Sequence, residues 1–109
     1  MSIKINGEIM NIRKYGYFRD GLKLEAVEIE LKNTTLLILE GYGMFAMCGA
    51  LDVNAYDKRE VICSKSVKVK TIDQLYESNI KELSTYAKES GLSDGMKVYE
   101  AFIQISKKE

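Results

Sequence analysis

Apolar and polar residues alternate through the first half of the chain, and that period of two predicts strands. Ile3 and Ile5 alternate, Asn6-Gly7 is a hairpin-turn dipeptide, and Ile9, Met10 and Ile12 follow. A second turn is expected at Arg19-Asp20-Gly21, with Tyr15, Tyr17 and Phe18 before it and Leu22, Leu24 and Ala26 after it. The phase then slips, because Leu22, Leu24 and Ala26 are even-numbered while Val27, Ile29 and Leu31 are odd. A slip of one residue exchanges the two faces of a strand, so a bulge or bend is expected near Ala26. Leu36 to Leu39 and Met44 to Leu51 are nearly continuous apolar runs, which suit strands covered on both faces. Glu40-Gly41-Tyr42-Gly43 joins them as a tight connection. Asp52 is placed to cap a short helix over Val53 to Arg59, and Val61 to Val69 reads as a further strand. Strand, helix and strand in that order predict a short crossover.

The period changes in the second half. Thr71 and Gln74 form a capping-box pattern, and Ile72, Leu75, Tyr76, Ile80, Leu83, Tyr86 and Ala87 fall on one face of a helix running to Ser90. Gly91 supplies a left-handed stop, with Leu92 as the apolar contact after it. Ser93 is the expected cap of a last helix carrying Met96, Tyr99, Phe102 and Ile103. The resulting expectation is a single α+β domain over residues 1–109. It has a mostly antiparallel mixed sheet of about five or six strands, with a short helix and two C-terminal helices packed on it. About a third of the residues should be helical.

Composition narrows the chemistry more than the fold. The 109 residues include no histidine, no proline and no tryptophan, and 16 basic side chains balance 16 acidic ones. Without imidazole there is no Ser-His-Asp triad and no Cys-His dyad, and two cysteines alone cannot close a four-ligand zinc site. Neither a cofactor nor a metal is therefore expected. Zero net charge and an isolated Lys65, Lys68 and Lys70 cluster give no nucleic-acid signature. The N-terminal residues lack a signal-peptide pattern and no apolar run approaches a membrane span, so a cytoplasmic protein is expected.

The segment Met47-Cys48-Gly49-Ala50-Leu51-Asp52-Val53-Asn54-Ala55, preceded by Gly41-Tyr42-Gly43, resembles the YunC-like family of small bacterial and archaeal proteins of unknown function. Val69-Lys70-Thr71-Ile72-Asp73 resembles that family's entry into its long helix, and Gly95-Met96 with Glu100-Ala101 its last helix. The resemblance runs in order from about Ala26 to Phe102. Ala50 replaces a usually aromatic residue, Lys68 stands where a glycine is common, and Ile9 to Glu25 reads as an added hairpin. The resemblance implies a small α+β fold and no assigned reaction.

Several side chains are candidates for chemistry. Cys48, beside Gly49 and before the Asp52 cap, could act as a nucleophile if a cation or helix N-terminus lowered its pKa, but its apolar setting favours core packing. Cys63 lacks even the glycine. Gly41-x-Gly43 leads into a strand rather than a helix, so it reads as a turn and not a phosphate loop. Asp52-x-Asn54 opens like a calcium loop, but Tyr56 replaces an oxygen ligand, Asp57 the required glycine and Cys63 the bidentate glutamate. Ser78-x-x-Lys81 is expected on the solvated helix face. Asn79 falls on the apolar helix face, where its amide must bond to the backbone or reach a ligand. Two functions remain. One is a non-enzymatic domain, homo-oligomeric with a dimer favoured, binding a ligand or partner near Cys48, Gly49, Asp52 or Asn79. Its self-association would run through Tyr15, Tyr17 and Phe18 on a projecting hairpin. The other is a thiol-dependent enzyme using Cys48, with Asp52 or a lysine to orient it.

Overall fold

Two-residue turns fix the register of the sheet. Asp20 and Gly21 have φ of 53° and 79°, and Tyr42 and Gly43 have φ of 54° and 81°. Both central residues of each turn are therefore left-handed, the geometry that matches the twist of paired strands. A computed structural model describes residues 2–5, 8–32, 34–49 and 61–108, with side chains described from residue 11 onward. The Asn6-Gly7 turn, Asp52 and the expected helix from Val53 to Arg59 lie outside the described residues.

The described strands are β1 (Ser2–Ile5), β2 (Glu8–Arg19), β3 (Leu22–Glu30), β4 (Thr35–Gly41), β5 (Met44–Cys48), β6 (Ile62–Ser66) and the two-residue β7 (Glu82–Leu83). They form one sheet in sequence order. Every neighbouring pair is antiparallel except β5 and β6, which run parallel as the expected crossover requires. Three helices follow β6: α1 (Ile72–Glu77), α2 (Thr85–Glu89) and α3 (Val98–Ser106). The architecture is α+β with a mostly antiparallel mixed sheet. One sheet face carries Leu22, Leu24, Ala26, Leu37, Leu39, Met44 and Ala46 against Ile72, Leu75, Tyr76, Val98, Ala101 and Phe102. Burying each large side chain here contributes roughly 1.5–3 kcal/mol relative to exposure.

The structure corrects several sequence expectations. No bulge occurs at Ala26: β3 keeps one register with β2 from Leu22 to Glu30 and one with β4 from Glu25 to Glu30. Val27 and Ile29 are apolar because the second sheet face is itself partly covered, not because the strand flips. The strand expected over Val61 to Val69 ends at Ser66, since Lys68 turns the chain at φ 62°.

The long helix from Ile72 to Ser90 is two short helices with a strand between them. Ile72, Leu75, Tyr76, Ile80, Leu83 and Ala87 are all buried as expected, but from three elements. The edge of β6 captures the backbone in mid-course, with Lys81 N–H donating to Lys65 O at 2.8 Å and Ser84 N–H to Cys63 O at 3.0 Å. Ser84 then caps α2 through its side chain. Gly91, at φ 97°, ends α2 and Leu92 is buried behind it, as expected. The last helix starts at Val98 rather than after Ser93, with Glu100 accepting from Lys97 N–H at 2.9 Å. Helices of six, five and nine residues fall short of a third of the described residues.

Candidate functional site

The turn end of the β2–β3 hairpin meets α1, and a network of tyrosine, arginine and carboxylate side chains joins them there. Alternation along β2 sends Tyr15, Tyr17 and Arg19 toward the helix side and Phe18 to the other side. Tyr17 packs on Tyr76 with ring centroids 5.5 Å apart, and Tyr76 on Tyr99 at 5.6 Å. The Arg19 guanidinium lies 4.8 Å from the Tyr76 ring centroid. It donates to the Tyr17 hydroxyl oxygen at 3.0 Å and to Glu77 at 3.2 Å. Tyr17 donates to Asp73 at 2.5 Å, and Tyr76 donates to Asp20 at 2.7 Å. Thr71 makes this possible by capping α1 through Gln74 N–H, which sets Asp73, Tyr76 and Glu77 on the first two turns.

Arg19, Asp20, Tyr76, Glu77, Lys97 and Tyr99 enclose a cleft of about 380 Å³. Lys97 reaches Asn79 Oδ1 at 3.0 Å. Arg19 is held above the ordinary guanidinium range chiefly by its bond to Tyr17; desolvation opposes this and Glu77 adds to it. Burial pushes the Tyr17 and Tyr76 hydroxyls up, helped by Asp73 and Asp20 respectively. All three groups keep their protons through neutral pH, but Tyr17 and Tyr76 already donate theirs to Asp73 and Asp20, so Arg19 and Lys97 supply the donors of the cleft beside the Tyr76 and Tyr99 rings. Farther along β2, burial alone would raise the Glu28 carboxyl. Bonds from Tyr15 and Arg13, both 2.6 Å, outweigh it and hold the group below its usual range.

The residues singled out in the sequence are distributed as follows. Cys48 is buried on the helix side of β5, where its sulfur accepts from Leu37 N–H at 3.4 Å. Cys63 is buried on the opposite sheet face, so the sheet separates the two thiols. Gly49 is exposed and allows a close approach by the chain itself, since a Cβ there would meet Val67 Cγ1 at 3.1 Å. Asn79 is exposed rather than buried, because it lies beyond the end of α1. Its backbone pairs with Lys97 in an isolated bridge, and its amide donates to Gly95 O at 2.8 Å. Ser78 closes α1 and donates to Leu75 O at 2.7 Å, so Ser78 and Lys81 share no helix face.

The hairpin end docks on α1 instead of projecting. Tyr17 is half-buried there, whereas Tyr15 is 37% and Phe18 74% exposed. Arg19, Glu77, Lys97 and Tyr99 carry no local sequence signal as site residues, because they meet only through contacts between separate elements, Arg19 with Glu77, Lys97 with Asn79 and Tyr99 with Tyr76. Among the described residues, no group of three or more Cys, Asp or Glu side chains could hold a metal ion, and no helix is long and apolar enough to cross a membrane.

Residues 47–105 match the family described as "Domain of unknown function (DUF1805)", which is more than half of the chain. The chain belongs to this family. The DUF1805 segment takes in the end of β5, β6, α1, β7, α2 and α3 as far as Ile105, hence Cys48, Tyr76, Asn79 and Lys97. The chain is also 29% identical over 92 residues to "Uncharacterized protein YunC" of Bacillus subtilis (strain 168), covering 81% of this chain and 91% of that protein. It is similar in fold to a protein of unknown function, TA1206, from Thermoplasma acidophilum. That match has a TM-score of 0.79 and 23% identity, covering 88% of this chain and 94% of the other. The unmatched share is smaller than the segment from Ile9 to Glu25, so that hairpin is not wholly an addition to the fold. Lys68 has φ 62°, in the left-handed region that glycine adopts freely.

Proposed function

We propose that this DUF1805 protein is a non-enzymatic, cytoplasmic, homo-oligomeric domain that binds a partner or ligand, and that its two-fold dimer forms through the outward side of the β2–β3 hairpin. The observation that supports this reading is Phe18. It is 74% exposed on a strand whose neighbouring side chains, Tyr17 and Arg19, are engaged by α1. An aromatic ring held this firmly outward costs little ordering entropy on association. In a two-fold dimer the contact occurs twice, at roughly 1.5–3 kcal/mol for each ring fully covered. Tyr15 lies on the other face of the same strand, where Glu28 accepts its hydroxyl, and stands outside this contact. Light scattering at micromolar concentration tests the reading. A mass of twice the chain is expected, and a monomer contradicts it.

The second reading, a thiol-dependent enzyme using Cys48, requires a sulfur open to substrate. Cys48 is 4% exposed and no described charged group contacts it. Alkylation of the native protein separates the readings: slow labelling of Cys48 accords with the binding domain, and fast labelling at neutral pH favours the enzyme.

A further inference from the structure

The sheet face away from the helices carries a cavity of about 220 Å³. Its walls come from two adjacent cross-strand rows. One row is Val27, Ile38 and Met47, and the next is Glu40, Phe45 and Cys63. Met47 and Cys63 are 3% and 1% exposed, so the floor is apolar and dry, and Glu40 at the rim is the one charged group lining it.

That carboxylate sits in an unusual electrostatic position. Glu40 lies directly opposite Glu25 in the antiparallel β3–β4 register. Like charges facing each other across a ladder destabilise it unless a cation intervenes. Lys14 is 3.2 Å from Glu25 and compensates that carboxylate. Glu40 has no ion pair among the described residues. An external cation at the rim therefore gains attraction to two carboxylates that share a single lysine. A hard divalent metal would need about six oxygen ligands, and the remaining walls supply none. A primary ammonium needs only a few acceptors and carries an organic body suited to the apolar floor. The cavity is smaller than the ~300–1,000 Å³ of sites for drug-sized molecules, so the fitting body is a short alkyl or aryl group.

We propose that this cavity binds a small amphiphilic primary amine, its ammonium on Glu40 and its apolar body against Val27, Ile38, Phe45 and Met47. The test is an NMR titration of the full chain with hexylammonium, with hexanol and hexanoate as size-matched probes. Hexylammonium should shift the resonances of Val27, Ile38, Phe45 and Met47 and bind roughly fivefold more tightly than hexanol, the upper range for a partly exposed ion pair. Hexanoate should bind more weakly than either. Glu40→Gln, at an exposed position, should erase the preference for the amine and keep the hexanol affinity. Added salt should narrow the preference in the unaltered protein, independently of any variant. Equal or tighter binding of hexanoate, or no shift at these four residues, overturns the proposal. So do shifts at the same residues on diluting the protein without probe, which would place a second copy on this face.

Discussion

Lys68 is a non-glycine residue at φ 62°, exposed, and immediately beyond β6. A side chain in the left-handed region costs roughly 1–2 kcal/mol, part of which glycine returns as greater freedom in the unfolded chain. Lys68→Gly should therefore raise stability by up to about 1 kcal/mol, read as a higher urea midpoint with an unchanged slope. A lower midpoint would mean that the lysine makes a compensating contact. Glu28 gives a second prediction at this scale. Its carboxyl is held below the ordinary value of 4.5 in the folded chain. Its contribution is thus fully present above that value and is lost as pH falls through the depressed one. The stability gap between the native protein and Glu28→Gln should be wide at neutral pH and should narrow as the pH falls below the ordinary carboxylate range. A gap independent of pH would contradict the assigned bonds from Tyr15 and Arg13.

At the scale of elements, the informative case is the segment from Ile72 to Ser90. Its buried residues were legible in the sequence, because the spacing of Ile72, Leu75, Tyr76, Ile80, Leu83 and Ala87 fits a helical face. The element type was not, because what breaks the helix is a strand edge distant in sequence. Ser84 is the residue that commits the chain to the break. Its hydroxyl donates to Val61 O at 2.7 Å and accepts from Cys63 N–H at 3.1 Å and Ala87 N–H at 3.2 Å, all while buried. Ser84→Ala removes a cap and strands two buried backbone groups, so a loss of roughly 2–3 kcal/mol is expected. Thr71→Ala, which removes an exposed cap at the start of α1, should cost only about 1 kcal/mol. Equal costs in chemical denaturation would show that the Ser84 bonds to β6 contribute little. The hairpin turns, by contrast, were legible from Arg19-Asp20-Gly21 and Glu40-Gly41-Tyr42-Gly43, because the glycines mark left-handed backbone locally.

For the whole molecule, the sheet has two unlike faces, and the sequence resolved only one of them. The helix face follows from alternation and was anticipated at Leu22, Leu24 and Ala26. The opposite face, with Val27, Ile38, Phe45, Met47 and Cys63, was read partly as a slipped strand, since a second apolar face and a bulge give the same pattern. The cleft at α1 was invisible for another reason: Tyr17, Arg19, Asp73 and Tyr76 meet only once the hairpin has folded across the helix. That docking also changes how self-association is probed. Altering Tyr17 would disturb its bonds to Asp73 and Arg19, whereas Phe18 faces away from them. The most direct measurement is sedimentation velocity of the native chain and of Phe18→Asp over a range of concentrations around a micromolar. The native chain should sediment as a dimer and Phe18→Asp as a folded monomer, with identical far-ultraviolet circular dichroism. A native monomer, or a Phe18→Asp dimer of undiminished affinity, would contradict the account.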